Sequence, residues 1–169
     1  TDRLRHRERI LDTIQDEVSE FITGLLSGNV PHTVADEARR QLQIADEYES
    51  VSDYLANIEK FDRKLRRDGF RFTEDQLQGL LELNERTSEY VRSINEGVQQ
   101  KNRSLLVKTK EASKRIKTEI KELRKQHLEA LSSGNIAPLV NVAFLATLNA
   151  YSRVRDHAHD IAEVVSSAT

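Results

Sequence analysis

Apolar residues recur every three or four positions along most of this 169-residue chain. Between 34 and 58 the line is Val34, Ala38, Leu42, Ala45, Tyr48, Val51, Leu55 and Ile58. Between 140 and 165 it is Val140, Phe144, Leu148, Tyr151, Val154, Ala158, Ile161 and Val165. Such spacing keeps the side chains on one side of an α-helix, and each line is expected to be one buried stripe of a bundle. Turn signals separate the periodic stretches. Gly28 with Pro31, and Gly134 with Pro138, mark a stop followed by a restart, and Gly69 marks another helix end. Thr73 followed by Gln76 reads as a capping box. A weaker break falls near Asn102–Arg103. The pattern predicts five helices, over 3–27, 32–67, 74–101, 104–132 and 138–167. A helix of about 28 residues is roughly 40 Å long, so the expectation is an all-α, rod-like bundle of five long antiparallel helices.

The pattern also repeats. "SGNV" at 27–30 returns as "SGNI" at 133–136, a shift of 106 residues. The same shift pairs Arg9 with Arg115, Ile10 with Ile116, Ile14 with Ile120 and Leu25 with Leu131. Further on, a shift of 103 pairs Tyr48 with Tyr151, Val51 with Val154, Asp53 with Asp156 and Ile58 with Ile161. Matched order and matched turns indicate an internal duplication. The first and second predicted helices then correspond to the fourth and fifth. The third has no counterpart, which leads to the expectation of a further helix before Thr1. The chain is read as one domain, with an incomplete repeat over 1–68 and a second over 69–169.

Composition narrows the class. Charged residues make up 32% and aromatics 5%, with six Gly and two Pro, a profile of long helices rather than sheets. Lys and Arg (26) nearly balance Asp and Glu (28), so no global charge points to nucleic acid. Without Cys there is neither a disulfide nor a thiolate metal site, which suits a cytosolic setting. Without Met, Thr1 is expected to be a boundary set by processing or excision. The charged start "TDRLRHRER" is not a signal peptide. The longest apolar run, 137–150, contains Pro138, Asn141 and Asn149 and is too short for a bilayer of roughly 30 Å. The chain itself is therefore expected to be soluble.

The stretch "DEYESVSDYLANIEK" (46–60) carries the main candidate chemistry. Asp46, Glu49, Asp53 and Asn57 fall on one helical stripe at spacings of three, four and four. Carboxylates at i and i+4 can share a hard cation such as Mg, Ca, Mn or iron. They can equally form a partner-binding surface or a solvated face. His157 and His159, two residues apart, point about 200° apart on a helix and do not form a shared pair. A di-iron oxidase needs Glu-x-x-His pairs, which the sequence does not contain. Lys108, Lys110, Lys114, Arg115, Lys117, Lys121, Arg124 and Lys125 make the fourth helix basic, interrupted by Glu111, Glu119 and Glu122. It reads as a solvated face, or as one that meets anionic lipid headgroups or an acidic partner. No aromatic residues interleave to stack nucleic-acid bases. With no nucleophile–base set and no Gly-rich phosphate loop, no enzyme is expected.

Two motifs carry a resemblance. "ESVSDYLANIE" (49–59) and "SRVRDHAHDIAE" (152–163) each resemble the acidic helix signature of the PhoU family, whose members consist of two tandem three-helix bundles. In the second copy Ser152 stands where the first acid belongs. The opening "RILDTIQDEVSEFITGLLSG" resembles the PhoU-like segment of bacterial sodium/phosphate cotransporters. The resemblance implies a non-enzymatic regulatory domain tied to phosphate transport and acting through protein contacts. It implies a cytoplasmic place, tethered to the inner membrane by an upstream transmembrane part. The implied partners are the transporter's membrane domain or a phosphate-signalling protein, and a homodimer is also open to it. A stand-alone phosphate-uptake regulator and a purely structural helical interaction module are the alternatives. Bound metal is implied as well: iron, zinc, manganese or magnesium. Carried over, the candidate ligands are Glu49 and Asp53, with Asp12 and Asp16 of the first helix approaching them. In the second copy they are Asp156 and Asp160, helped by His157 or His159. There Thr118 replaces the counterpart of Asp12, and Lys114, Lys117 and Lys121 surround it, so the second site is expected to be weak.

Overall fold

The structure, a computed structural model, describes residues 2–28 and 30–168, the side chain of Leu4 excepted; Asn29 of the "SGNV" turn thus lies outside the described residues. The chain forms five helices: α1 (Asp2–Leu26), α2 (His32–Arg67), α3 (Glu74–Gln99), α4 (Leu105–Leu131) and α5 (Pro138–Ser166). All five expected helices form, and the bounds move by at most two residues. Local chemistry explains the ends. At the start of α3 the Thr73 side chain accepts from the Gln76 backbone N–H (3.2 Å), and Gln76 Oε1 accepts from the Thr73 N–H (2.9 Å). Gly69, at φ +84°, lets the Phe70 N–H turn back to the Leu65 carbonyl (3.0 Å) and stop α2. α3 ends in the same manner with Lys101 at φ 50° and the Asn102 N–H bonded to Gly97 O (2.9 Å). A lysine in that role gives only a weak signal in the sequence.

Packing divides the molecule in two. α3, α4 and α5 pack pairwise as a complete three-helix bundle, whereas α1 packs on α2 alone. The most extensive pairing is α2 with α5, which joins the halves. The whole α5 stripe is buried, as expected. On α2 the stripe holds only in part. Ala38 and Val51 are buried, but Val34 and Leu55 are exposed and Ala35, Ile44 and Leu65 are buried instead. At 36 residues α2 is about 54 Å long. It meets α1 on one side and α5 on another, so its buried line drifts around the helix.

The core gathers Leu83, Tyr90, Ile94, Ile116, Phe144, Leu148 and Ile161. Gly97 permits the close approach of α3 and α4, because a Cβ there would collide with the buried Leu105 side chain. A small polar network crosses the same bundle. His127 Nε2 lies 2.5 Å from Asn141 Oδ1, and Gln76 Nε2 lies 3.4 Å from His127 Nδ1. Burying these polar groups without such partners would be costly.

Two tyrosines that the sequence pairs by a shift of 103 make like contacts. The Tyr48 hydroxyl donates to Asn95 Oδ1 (2.7 Å), and its counterpart Tyr151 donates to Asn84 Oδ1 (2.9 Å). Both asparagines belong to α3, three turns apart on one side of it. Burial pushes both phenols up to about 12. Tyr54 and its counterpart His157 stack, with ring centroids 5.7 Å apart, where α2 meets α5.

Candidate cation sites

Three of the expected acids come together. One carboxylate oxygen each from Asp12, Glu49 and Asp53 lies within 4.8 Å of the other two. α1 supplies the first and α2 the other two, one turn apart. All three are partly buried in the seam between these helices. Asp46 flanks the group one turn earlier, where its Oδ1 accepts from Gln15 Nε2 (2.8 Å). Burial raises the Glu49 carboxyl above the usual carboxylate range. The hydrogen bond and charge of Asp53, and then the charges of Asp12 and Asp46, push it the same way. Every neighbour acting on Glu49 is thus a carboxylate. Asp16 is exposed and stands outside the group, a correction to the expectation. It follows Asp12 by one turn, but the further turn of about 40° carries it away from the seam.

The second expected site is rearranged. Arg155, on the same helix, forms an ion pair with Asp156. The same guanidinium donates through Nε to Ser113 O (3.2 Å). Asp160 instead shares a group with His157 and with Glu47 of α2, one ligand atom from each lying within 4.8 Å of the others. His157 Nδ1 sits 2.6 Å from Glu47 Oε2, a contact that links α2 to α5. His159 points elsewhere, to Glu163 of its own helix (3.0 Å), in line with the divergence expected of two histidines two residues apart. Glu47 is the residue the sequence reading missed. Its signal was the repeat: His157 matches Tyr54, and Glu47 lies two turns before Tyr54 on the same side of α2.

The donor sets differ in chemistry. Asp12, Glu49 and Asp53 offer oxygen only, which suits hard cations such as Mg²⁺, Mn²⁺ or Ca²⁺. Glu47, His157 and Asp160 offer one nitrogen and two oxygens, a set that zinc or iron accepts. That set also satisfies itself as an ion pair when His157 is protonated. On the far side, Arg86 Nε lies 2.9 Å from Glu119 Oε2 between α3 and α4. Burial raises the Glu119 carboxyl and Arg86 opposes the shift.

Site and fold together define a class, an all-α bundle with a carboxylate cluster in one helix seam. Among the described residues no helix is long and apolar enough to cross a membrane. Comparison with protein-family models, curated proteins and solved structures gave no match.

Proposed function

We propose that this chain is a non-enzymatic regulatory domain of the PhoU type. In this reading it is the cytoplasmic part of a sodium/phosphate cotransporter, and it works by docking on the transporter's membrane domain or on a phosphate-signalling protein. Its first acidic motif holds a divalent cation between α1 and α2. The observation that supports this is the convergence of Asp12 with Glu49 and Asp53, the two acids of the motif at 49–59, in a seam where only carboxylates act on Glu49. A cation would offset the repulsion that Asp53, Asp12 and Asp46 exert on the Glu49 carboxylate. It would also tie α1 to α2, so that metal occupancy and the shape of the docking surface are coupled. Titration calorimetry with MnCl₂ tests the site. One strong Mn²⁺ equivalent is expected, weakened at least tenfold in Glu49→Ala/Asp53→Ala and unchanged in Asp16→Ala. Absence of any Mn²⁺ or Mg²⁺ heat in the parent chain would refute the metal part of the proposal.

A further inference from the structure

The fourth helix sorts its charges by side. Glu111, Glu119 and Glu122, which interrupt the basic run in the sequence, line the groove between α3 and α4, where Glu119 meets Arg86 (2.9 Å). Lys110, Lys114, Lys117, Lys121 and Arg124 follow one another at spacings of four, three, four and three, and all are exposed. Such spacings set side chains in one line along a helix, here about 21 Å long. No acid stands in that line, and Lys110, Lys117, Lys121 and Arg124 have none three or four residues away. Among the described residues none of the five takes part in an ion pair, whereas Arg39, Arg40, Arg63 and Arg66 of α2 each pair with an acid one turn earlier.

The line ends on apolar side chains in the same register. Val107 before it is 77% exposed and Leu128 after it is 55% exposed. Lys121, Arg124, Lys125 and Leu128 share one shallow hollow, with Glu129 at its edge. α4 already packs on α3 and α5, so this is an outer side of a closed three-helix bundle.

We propose that this side of α4 lies against an anionic lipid bilayer, with its cations among the headgroups and Val107 and Leu128 at the edge of the acyl region. A row of cations with exposed apolar groups in line with it is how a helix lies in a membrane interface. Composition favours this occupant over an acidic protein. Protein interfaces are depleted in Lys and enriched in Arg and aromatic residues. Here four of the five cations are Lys, and α4 contains no Phe, Tyr or Trp. A lysine ammonium is a hydrated point charge on a flexible stem and needs no fixed partner geometry, which suits a fluid layer of phosphates. The contact rests on α4 alone and stands apart from the acidic cluster. Under the function proposed above, it would fix how the domain faces the bilayer.

Flotation of the chain with phosphatidylcholine vesicles containing about 30% phosphatidylglycerol tests the proposal. The chain should float with them at about 0.05 M NaCl, be released at about 0.5 M, and ignore vesicles of phosphatidylcholine alone. Each cation near such a surface is worth about fivefold in affinity, so Lys117→Ala/Lys121→Ala should bind at least tenfold more weakly. Lys60→Ala/Lys64→Ala removes the same charge from exposed positions of α2 and should stay within about twofold of the parent. The chain has no Trp, so Leu128→Trp supplies a reporter. Its emission should shift to the blue on the anionic vesicles, and that of Leu81→Trp, on an exposed side of α3, should not. Circular dichroism of each variant checks that the helices persist. Failure to float with anionic vesicles at low salt overturns the proposal. So does an equal loss in the two lysine pairs, which would reduce the effect to net charge, or an unshifted Leu128→Trp emission in the vesicle-bound chain. Displacement from the vesicles by poly-glutamate at equal charge would assign the face to an acidic protein and overturn it as well.

Discussion

Ile14 and Ile120 stand at equivalent places in the duplicated pattern, yet their surroundings differ. Ile120 is buried where α3, α4 and α5 close around it, whereas Ile14, on a helix that packs on α2 alone, is about half exposed. The same contrast runs through the charged groups. In the second half the counterpart of Asp12 is Thr118, and the counterpart of Glu49 is Ser152. In the first half Asp12 and Glu49 meet Asp53. The half with the complete core has lost its carboxylate cluster, and the half with the cluster carries the uncovered surface. The two helix pairs that the sequence pattern aligns thus differ in kind: one is enclosed by a third helix, and the other carries the carboxylate cluster and exposed isoleucines.

Deleting the paired isoleucines measures the contrast most directly. Ile120→Ala empties a fully enclosed site, and a cost of about 2–5 kcal/mol in urea unfolding is expected. Ile14→Ala should stay within about 0.5 kcal/mol, as exposed substitutions do. Equal costs at the two positions would mean that the uncovered side of α1 is enclosed after all.

The tyrosine pair tests what the two halves still share. Tyr48 and Tyr151 each donate to an asparagine of α3, so α3 serves both copies. Tyr48→Phe and Tyr151→Phe should each lose about 1 kcal/mol, because each leaves an asparagine oxygen unpaired. Ultraviolet titration should show both phenols ionising near 12 rather than near 10. A variant at 48 with no loss of stability would confine α3 to the second half.

Much of this arrangement was legible in the sequence, and the failures have physical reasons. The five helices follow from apolar periodicity, the Thr73–Gln76 box and glycines at 69 and 134, all local signals. The meeting of Asp12 with Glu49 and Asp53 was legible because adjacent helices joined by a short turn pack side by side. Glu47 escaped because its partners, His157 and Asp160, are more than 100 residues away and meet it only through the α2–α5 crossing. Asp156 was misjudged because a neighbour on its own helix, Arg155, claims it. The drift of the buried line on α2 was invisible for a related reason. A helix that packs on two sides has no single stripe for periodicity to report.

The smallest expected effect belongs to the carboxylate cluster and separates the halves by pH. Glu49 titrates from an ordinary value of 4.5, and in the folded chain burial and then Asp53, Asp12 and Asp46 raise it. Well below 4.5 the group is protonated in folded and unfolded chains alike and contributes nothing. As pH climbs from that value through the raised one, the folded chain holds the proton longer, so stability falls across this window. Above the window the loss is constant. Glu49→Gln should therefore match the parent at about pH 3.5 and exceed it by a few tenths of a kcal/mol at about pH 7, the size of a like-charge pair one turn apart on a helix. Saturating Mn²⁺ should stabilise the parent by more than this, by an amount that grows with the ratio of Mn²⁺ to its Kd, and should leave the variant lacking both Glu49 and Asp53 unchanged. Ser152→Glu would place an acid one turn before Asp156 on the same side of α5, where Arg155 already pairs with Asp156. Its pH dependence should be flatter than that of Glu49, and a loss as steep as the one at Glu49 would show that the halves differ less in charge than in packing.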